Sequence, residues 1–112
     1  MASGYAVTQR PFTIANGATA SGEIEMAGLV PVGIIFPAAF TGATVSFKNA
    51  AVSGGTPLPL NREDGTLITV TVATSTQVKL NPLDFAGCTF LTVVSASTEG
   101  QNDSCILLAR DM

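Results

Sequence analysis

Residues 66–73 read Thr66-Leu67-Ile68-Thr69-Val70-Thr71-Val72-Ala73, with Leu67, Ile68, Val70 and Val72 largely alternating with Thr69 and Thr71. Period-two alternation of β-branched residues puts one face of a strand on a core and the other towards solvent, the pattern of an antiparallel sheet wetted on one side. Outward from it, turn punctuation recurs roughly every 8 to 12 residues. It falls at Asn16-Gly17, Ser21-Gly22, Gly28, Pro37, Gly42, Ser53-Gly54-Gly55, Asp64-Gly65, Asn81-Pro82, Gly87 and Gly100. Between these lie further strand-like runs: Tyr5–Thr8, Val30–Phe36, Thr44–Phe47, Phe90–Val94 and Cys105–Ala109. One short helical turn is expected at Asn81-Pro82-Leu83-Asp84-Phe85, where Asn81 can cap and Pro82 suits the first position. The pattern predicts an all-β fold of about seven to nine short strands, an antiparallel β-sandwich of jelly-roll-like form. Phe36, Phe40, Phe47, Phe85 and Phe90, each in or beside an apolar run, are its expected aromatic core.

The chain of 112 residues has room for one domain. It is 46% apolar and only 12% charged, too hydrophobic for disorder. Five Lys and Arg stand against eight Asp and Glu, a net charge of −3, and no basic cluster exists to neutralise phosphates. Nucleic acid is therefore not an expected partner. The uncharged stretch from Met26 to Phe47 is long enough to cross a bilayer, but Gly28, Pro31, Gly33, Pro37 and Gly42 break it up, and no membrane association is expected. Met1-Ala2-Ser3-Gly4 has neither the positive nor the apolar region of a secretory signal, so synthesis in a cytosol is the expectation, with Cys88 and Cys105 as reduced thiols. Few charges among many Ala, Thr, Ser and Gly imply a surface made for a protein neighbour.

Chemistry is thinly represented. Without His, a thiol at Cys88 or Cys105 would need Lys48 or Lys79 as base, and both cysteines read instead as small core hydrophobes. The close carboxylate pairs are Glu23 with Glu25 and Glu63 with Asp64. The first reads as a solvated strand edge, since Ser21 and Gly22 cannot complete an oxygen cage for a cation. Glu63-Asp64-Gly65 reads as a turn in which glycine takes a positive φ. Ser95-Ala96-Ser97-Thr98 lacks a nucleophile elbow, and Gly54-Gly55 lacks the Lys and helix of a phosphate cradle. The expectation is a protein that is not an enzyme, with no catalytic, metal-binding or cofactor-binding residues and no cofactor.

From about Phe12 to Arg110 the order of motifs resembles small β-sandwich virion proteins of tailed bacteriophages and prophages, most nearly head-decoration proteins, also called cement or staple proteins. Ile24 to Thr41 carries the likeness, where such proteins show an apolar strand, a "GI-MPAAW" stretch and then an "LTFQ" strand. Phe40 stands in place of the Trp, Val45-Ser46-Phe47-Lys48 fills the next strand, and Leu80 to Gly87 matches an "LdP-dFaG" turn. The resemblance implies a non-enzymatic capsid protein, made in the host bacterial cytoplasm and seated on the outer surface of the head. It would bind the phage major capsid protein, stabilise the shell and form a homo-oligomer, a dimer in preference to a trimer. The alternative is a tail or fibre β-domain that binds the host-cell surface or joins tail components.

The composition divides the chain into residues 1–22, an N-terminal arm or edge strand, and residues 23–112, the sandwich. The first segment is rich in Ala, Thr, Ser and Gly and cannot offset its own ordering entropy without a partner. Arg10-Pro11 is expected to interrupt any longer ladder. Tyr5–Thr8 is expected either as a short strand added to a sheet edge, in a neighbouring subunit or the same one, or as the first strand of its own sandwich; Tyr5, Val7 and Phe12 are the candidate partner contacts, with Tyr5 and Phe12 alternatively packing at the end of the sandwich.

Overall fold

A computed structural model describes residues 7–111. Nine strands account for its regular structure: β1 (Val7–Ile14), β2 (Ile24–Glu25), β3 (Val30–Phe36), β4 (Thr44–Ala50), β5 (Leu58–Pro59), β6 (Thr69–Thr71), β7 (Thr76–Lys79), β8 (Phe90–Ser95) and β9 (Asp103–Arg110). They form two antiparallel sheets, one in the order β1-β9-β3-β7 and the other in the order β2-β8-β4-β5, with β6 also paired to β4. Taking β5 and β6 as one broken strand, the pairs β1·β9, β2·β8, β3·β7 and β4·β5/β6 are those of a single long hairpin. Rolled up, that hairpin brings β9 onto β3 and β8 onto β4, which is the jelly roll.

Alternation along each strand fills the space between the sheets. Phe12, Ile14, Ile34, Phe36, Cys105, Leu107 and Ala109 point inward from one sheet, and Ile24, Val45, Phe47, Leu91 and Val93 from the other, all buried. Phe36 meets Phe40 edge-on with ring centroids 5.1 Å apart, and Phe47 meets Phe85 at 4.9 Å. In residues 67–72 the inward side chains are Ile68, Val70 and Val72, while Leu67 faces out with the threonines. Only Thr69–Thr71 lie in the β6 ladder; Leu67 forms an isolated bridge with Asn61. Phe90 differs from the expected core aromatics. It opens β8 on the outward phase of the alternation and is half-buried.

The punctuation acts through backbone geometry. Met26-Ala27-Gly28-Leu29 closes with a hydrogen bond from Leu29 N–H to Met26 O, and both central residues have positive φ, 51° at Ala27 and 81° at Gly28. Pro82–Asp84 is a single 3₁₀ turn whose cap, Asn81, accepts from Leu83 N–H at 3.1 Å. In the acidic turn, Asp64 accepts from both the N–H and the hydroxyl of Thr66. The register of β3 against β9 shifts between Pro31 and Gly33, a bulge that keeps Pro31, Ile34 and Phe36 all turned inward.

The N-terminal segment forms an edge strand, and it departs from expectation at Arg10-Pro11. β1 runs through Arg10-Pro11 without a break, pairing from Val7↔Arg110 to Ile14↔Asp103. Proline is tolerated because β1 is an edge strand, free of a second neighbour that its missing N–H would have to satisfy. Its inner phase also contributes Phe12 and the fully buried Ile14 to the core. Residues 7–14 are therefore integral to this protomer's own sheet. Among the described residues no helix is long and apolar enough to cross a membrane.

Candidate functional site

Three connections meet at one end of the roll: residues 15–23 between β1 and β2, 37–43 between β3 and β4, and 96–102 between β8 and β9. Glu99 ties them together. Its backbone N–H donates to Ala18 O at 3.0 Å, and its carbonyl accepts from Gly17 N–H at 2.8 Å. Its carboxylate accepts from Thr41 N–H at 2.8 Å through Oε1, and from Gly42 N–H at 3.0 Å and Ser95 Oγ at 2.8 Å through Oε2. The side chain is fully buried, at 0% exposure. Gly42 permits this approach, since a Cβ there would collide with Ser95 Oγ.

Asp103, the first residue of β9, lies beside Glu99 and is 1% exposed. Gln101 Nε2 donates to Asp103 Oδ1 at 3.3 Å and to Ala39 O at 2.9 Å. Asp103 Oδ2 is buried and accepts no hydrogen bond from any donor placed around it. Burial pushes Asp103 above the ordinary carboxylate range, and the neighbouring Glu99 carboxylate adds to this. Burial would also raise Glu99, but the Asp103 carboxyl beside it and the hydrogen bonds from Thr41, Ser95 and Gly42 outweigh it and hold Glu99 below its usual value. Sequence reasoning missed this pair. Four residues apart across a Gly100-Gln101 turn, the two acids resemble loop solvation, and only the roll reveals their burial.

Away from these acids, a cleft of about 530 Å³ is lined by Asn61, Arg62, Glu63, Asp64, Asn81, Leu83 and Asp84. Its guanidinium is already engaged, with Arg62 Nε 3.4 Å from Asp84 Oδ2. The cleft offers amides, carboxylates and one exposed leucine, with no thiol, hydroxyl nucleophile or imidazole among its lining residues. Elsewhere, Glu23 directly precedes β2 and is exposed, as is Glu25 on the other side of buried Ile24. Glu23 accepts from Gly54 N–H at 2.8 Å and Ser53 Oγ at 2.7 Å, which hold its carboxyl below the usual range.

Cys88 and Cys105 are free and buried. Burial raises both thiols, Cys105 to about 12 with help from Asp103 and Glu99, so neither is a thiolate at neutral pH. No group of three or more His, Cys, Asp or Glu among the described residues is placed to hold a metal ion. Of the candidate partner contacts, Tyr5 lies outside the described residues, Val7 is 52% exposed, and Phe12 is only 7% exposed, its ring taken up by the protomer's own core. Among the described residues, the large hydrophobic side chains that face outward are Val7, Val52, Leu58, Leu67 and Leu83.

Compared with protein-family models and with curated proteins, the chain matches none. Among solved structures it is similar in fold to the SPBc2 prophage-derived protein YomS. The TM-score is 0.53 at 15% sequence identity, and the alignment covers 93% of this chain and 95% of that one.

Proposed function

We propose that the chain is a non-enzymatic virion protein of a tailed phage or prophage, a head-decoration protein that binds the outer face of the major capsid protein and stabilises the head. The observation that carries the reading is the likeness to a prophage-derived protein along nearly all of both chains, rather than through one shared hairpin. The motif order from Ile24 to Thr41 points from phage protein to decoration protein.

The physical means suit a cementing role. A closed roll whose loop end is tied through Glu99 suits a body that bridges neighbours. Outward aliphatic side chains such as Val52, Leu58 and Leu83 offer apolar contact area, and few charges leave little for salt to screen. A standard interface buries about 1,200 to 2,000 Å², and repetition over a shell multiplies modest contacts by avidity. Homodimers would extend the span of each bridge.

Quantitative mass spectrometry of purified virions tests the reading by counting copies. Hundreds per particle are expected. A handful would overturn it and indicate the tail or fibre domain. Phage lacking the protein should still form heads, and those heads should release DNA at a lower temperature than wild type. Heads of unchanged heat resistance, or no heads at all, would also count against it.

A further inference from the structure

Glu99 and Asp103 present an accounting problem that the protein alone does not close. Four buried carboxyl oxygens face a set of neutral donors: Thr41 N–H and Gly42 N–H from the β3–β4 connection, Ser95 Oγ from β8, and the Gln101 amide beside β9. Those donors satisfy both oxygens of Glu99 and Oδ1 of Asp103. Asp103 Oδ2 is left over, buried beside a carboxylate that has spare lone pairs. Two adjacent ionised carboxylates in a desolvated site repel, and a buried acceptor without a donor costs about 1 to 3 kcal/mol. One hydrogen atom removes both penalties.

We propose that Glu99 and Asp103 share a single proton, carried on Asp103 Oδ2 and donated to the Glu99 carboxylate, and that this proton latches the three connections at the loop end of the roll. Glu99 must stay ionised to accept from Thr41, Gly42 and Ser95, and Asp103 must stay neutral to donate. Among the described residues no cation bears on either carboxyl, and the remaining titratable neighbour, the Cys105 thiol on β9, is itself held neutral. Base takes the proton to solvent and leaves two facing carboxylates. The charge is then relieved by parting residues 96–102 from residues 37–43, so the latch opens on the alkaline side.

The sign of the effect follows from linkage. Asp103 binds its proton more tightly folded than unfolded, so its contribution is fully present below the unfolded value near pH 4 and is lost as pH rises through the raised folded value. Glu99 has the opposite sense, with a contribution present above about pH 4.3 and lost in acid. The latch is intact between the two folded values.

Asp103→Asn is the informative variant, because its amide can donate to Glu99 at every pH while its oxygen still accepts from Gln101. Between the unfolded value near pH 4 and the raised folded value, where only the unfolded chain has lost the Asp103 proton, the folded-to-unfolded ratio of wild type relative to D103N should fall by about tenfold per pH unit. Carboxyl-carbon NMR of the wild-type protein, labelled in Asp and Glu, reads the proton directly and does not depend on the variant folding. One aspartate should keep its protonated shift above the ordinary carboxylate range, with a glutamate responding as that aspartate titrates. All aspartates titrating in the ordinary acid range, or parallel pH profiles for wild type and D103N, would overturn the proposal.

Discussion

Phe47→Ala should cost severalfold more than Phe90→Ala, although both rings sit on the β4–β8 sheet and read alike in the sequence. Phe47 is fully buried between the sheets, and its ring meets Phe85 edge-on at 4.9 Å and 83°. Truncation forfeits the transfer energy of the ring and leaves a cavity that two hydrogen-bonded sheets cannot collapse around, a loss of about 3 to 5 kcal/mol. The broken aromatic pair accounts for about 0.5 to 1.5 kcal/mol beyond area burial. Phe90 already has one side in water, so its removal opens no closed void and costs about 1 to 2 kcal/mol of lost apolar contact. At about 4 °C per kcal/mol for a domain of this size, the melting temperature of F47A should drop by about 12 to 20 °C and that of F90A by about 4 to 8 °C. Urea unfolding with an unchanged denaturant slope gives the same quantities as energies. Equal losses for the two variants would refute the assignment of Phe47 to the interior and Phe90 to the rim.

Gly42→Ala should destabilise by about 1 to 3 kcal/mol, because its new Cβ displaces the Ser95 hydroxyl from Glu99. The same change made in a Ser95→Ala background should cost less, since the colliding oxygen is gone; thermal melts showing the same cost in both backgrounds would contradict the geometry. Neither Cys88 nor Cys105 should react with iodoacetamide in the folded protein, and both should react in denaturant. Rapid native-state alkylation, followed by mass spectrometry, would show a thiol more accessible than its burial implies.

Much of the roll is legible in local pattern. Val30–Phe36 is bounded as the apolar run predicts, and the Asn81-Pro82 cap forms its single turn, because both depend on neighbours in sequence. β7 is not legible that way. Thr76-Gln77-Val78-Lys79 has one apolar residue and becomes a strand only because the edge of β3 is there to pair with it. The continuity of β1 through Pro11 likewise depends on an edge position that composition does not reveal. The buried acids are the largest omission. Glu99 and Asp103 lie in a Ser-, Gly- and Asn-rich turn that reads as water-facing, and their burial is created by two other connections, far off in sequence, folding over them.

The position of β9 also sets an order of events during synthesis. Every other strand leaves the ribosome before it, yet it belongs between β1 and β3. Until it emerges, β1 has no neighbour in its sheet to hold Phe12 and Ile14 against the core. The pairings nest like brackets, β4 with β5 and β6 innermost and β1 with β9 outermost, so each successive closure spans a longer stretch of chain. Closing a short loop costs less entropy than closing a long one, and each pair already formed shortens the loop left for the next, which favours zipping outward from the inner hairpin over chance meeting of the outer strands. A nascent chain stalled before Asp103 would carry a half-built sheet with its greasy side open, the form in which such a protein is most exposed to chaperones, proteases and other unfinished copies of itself.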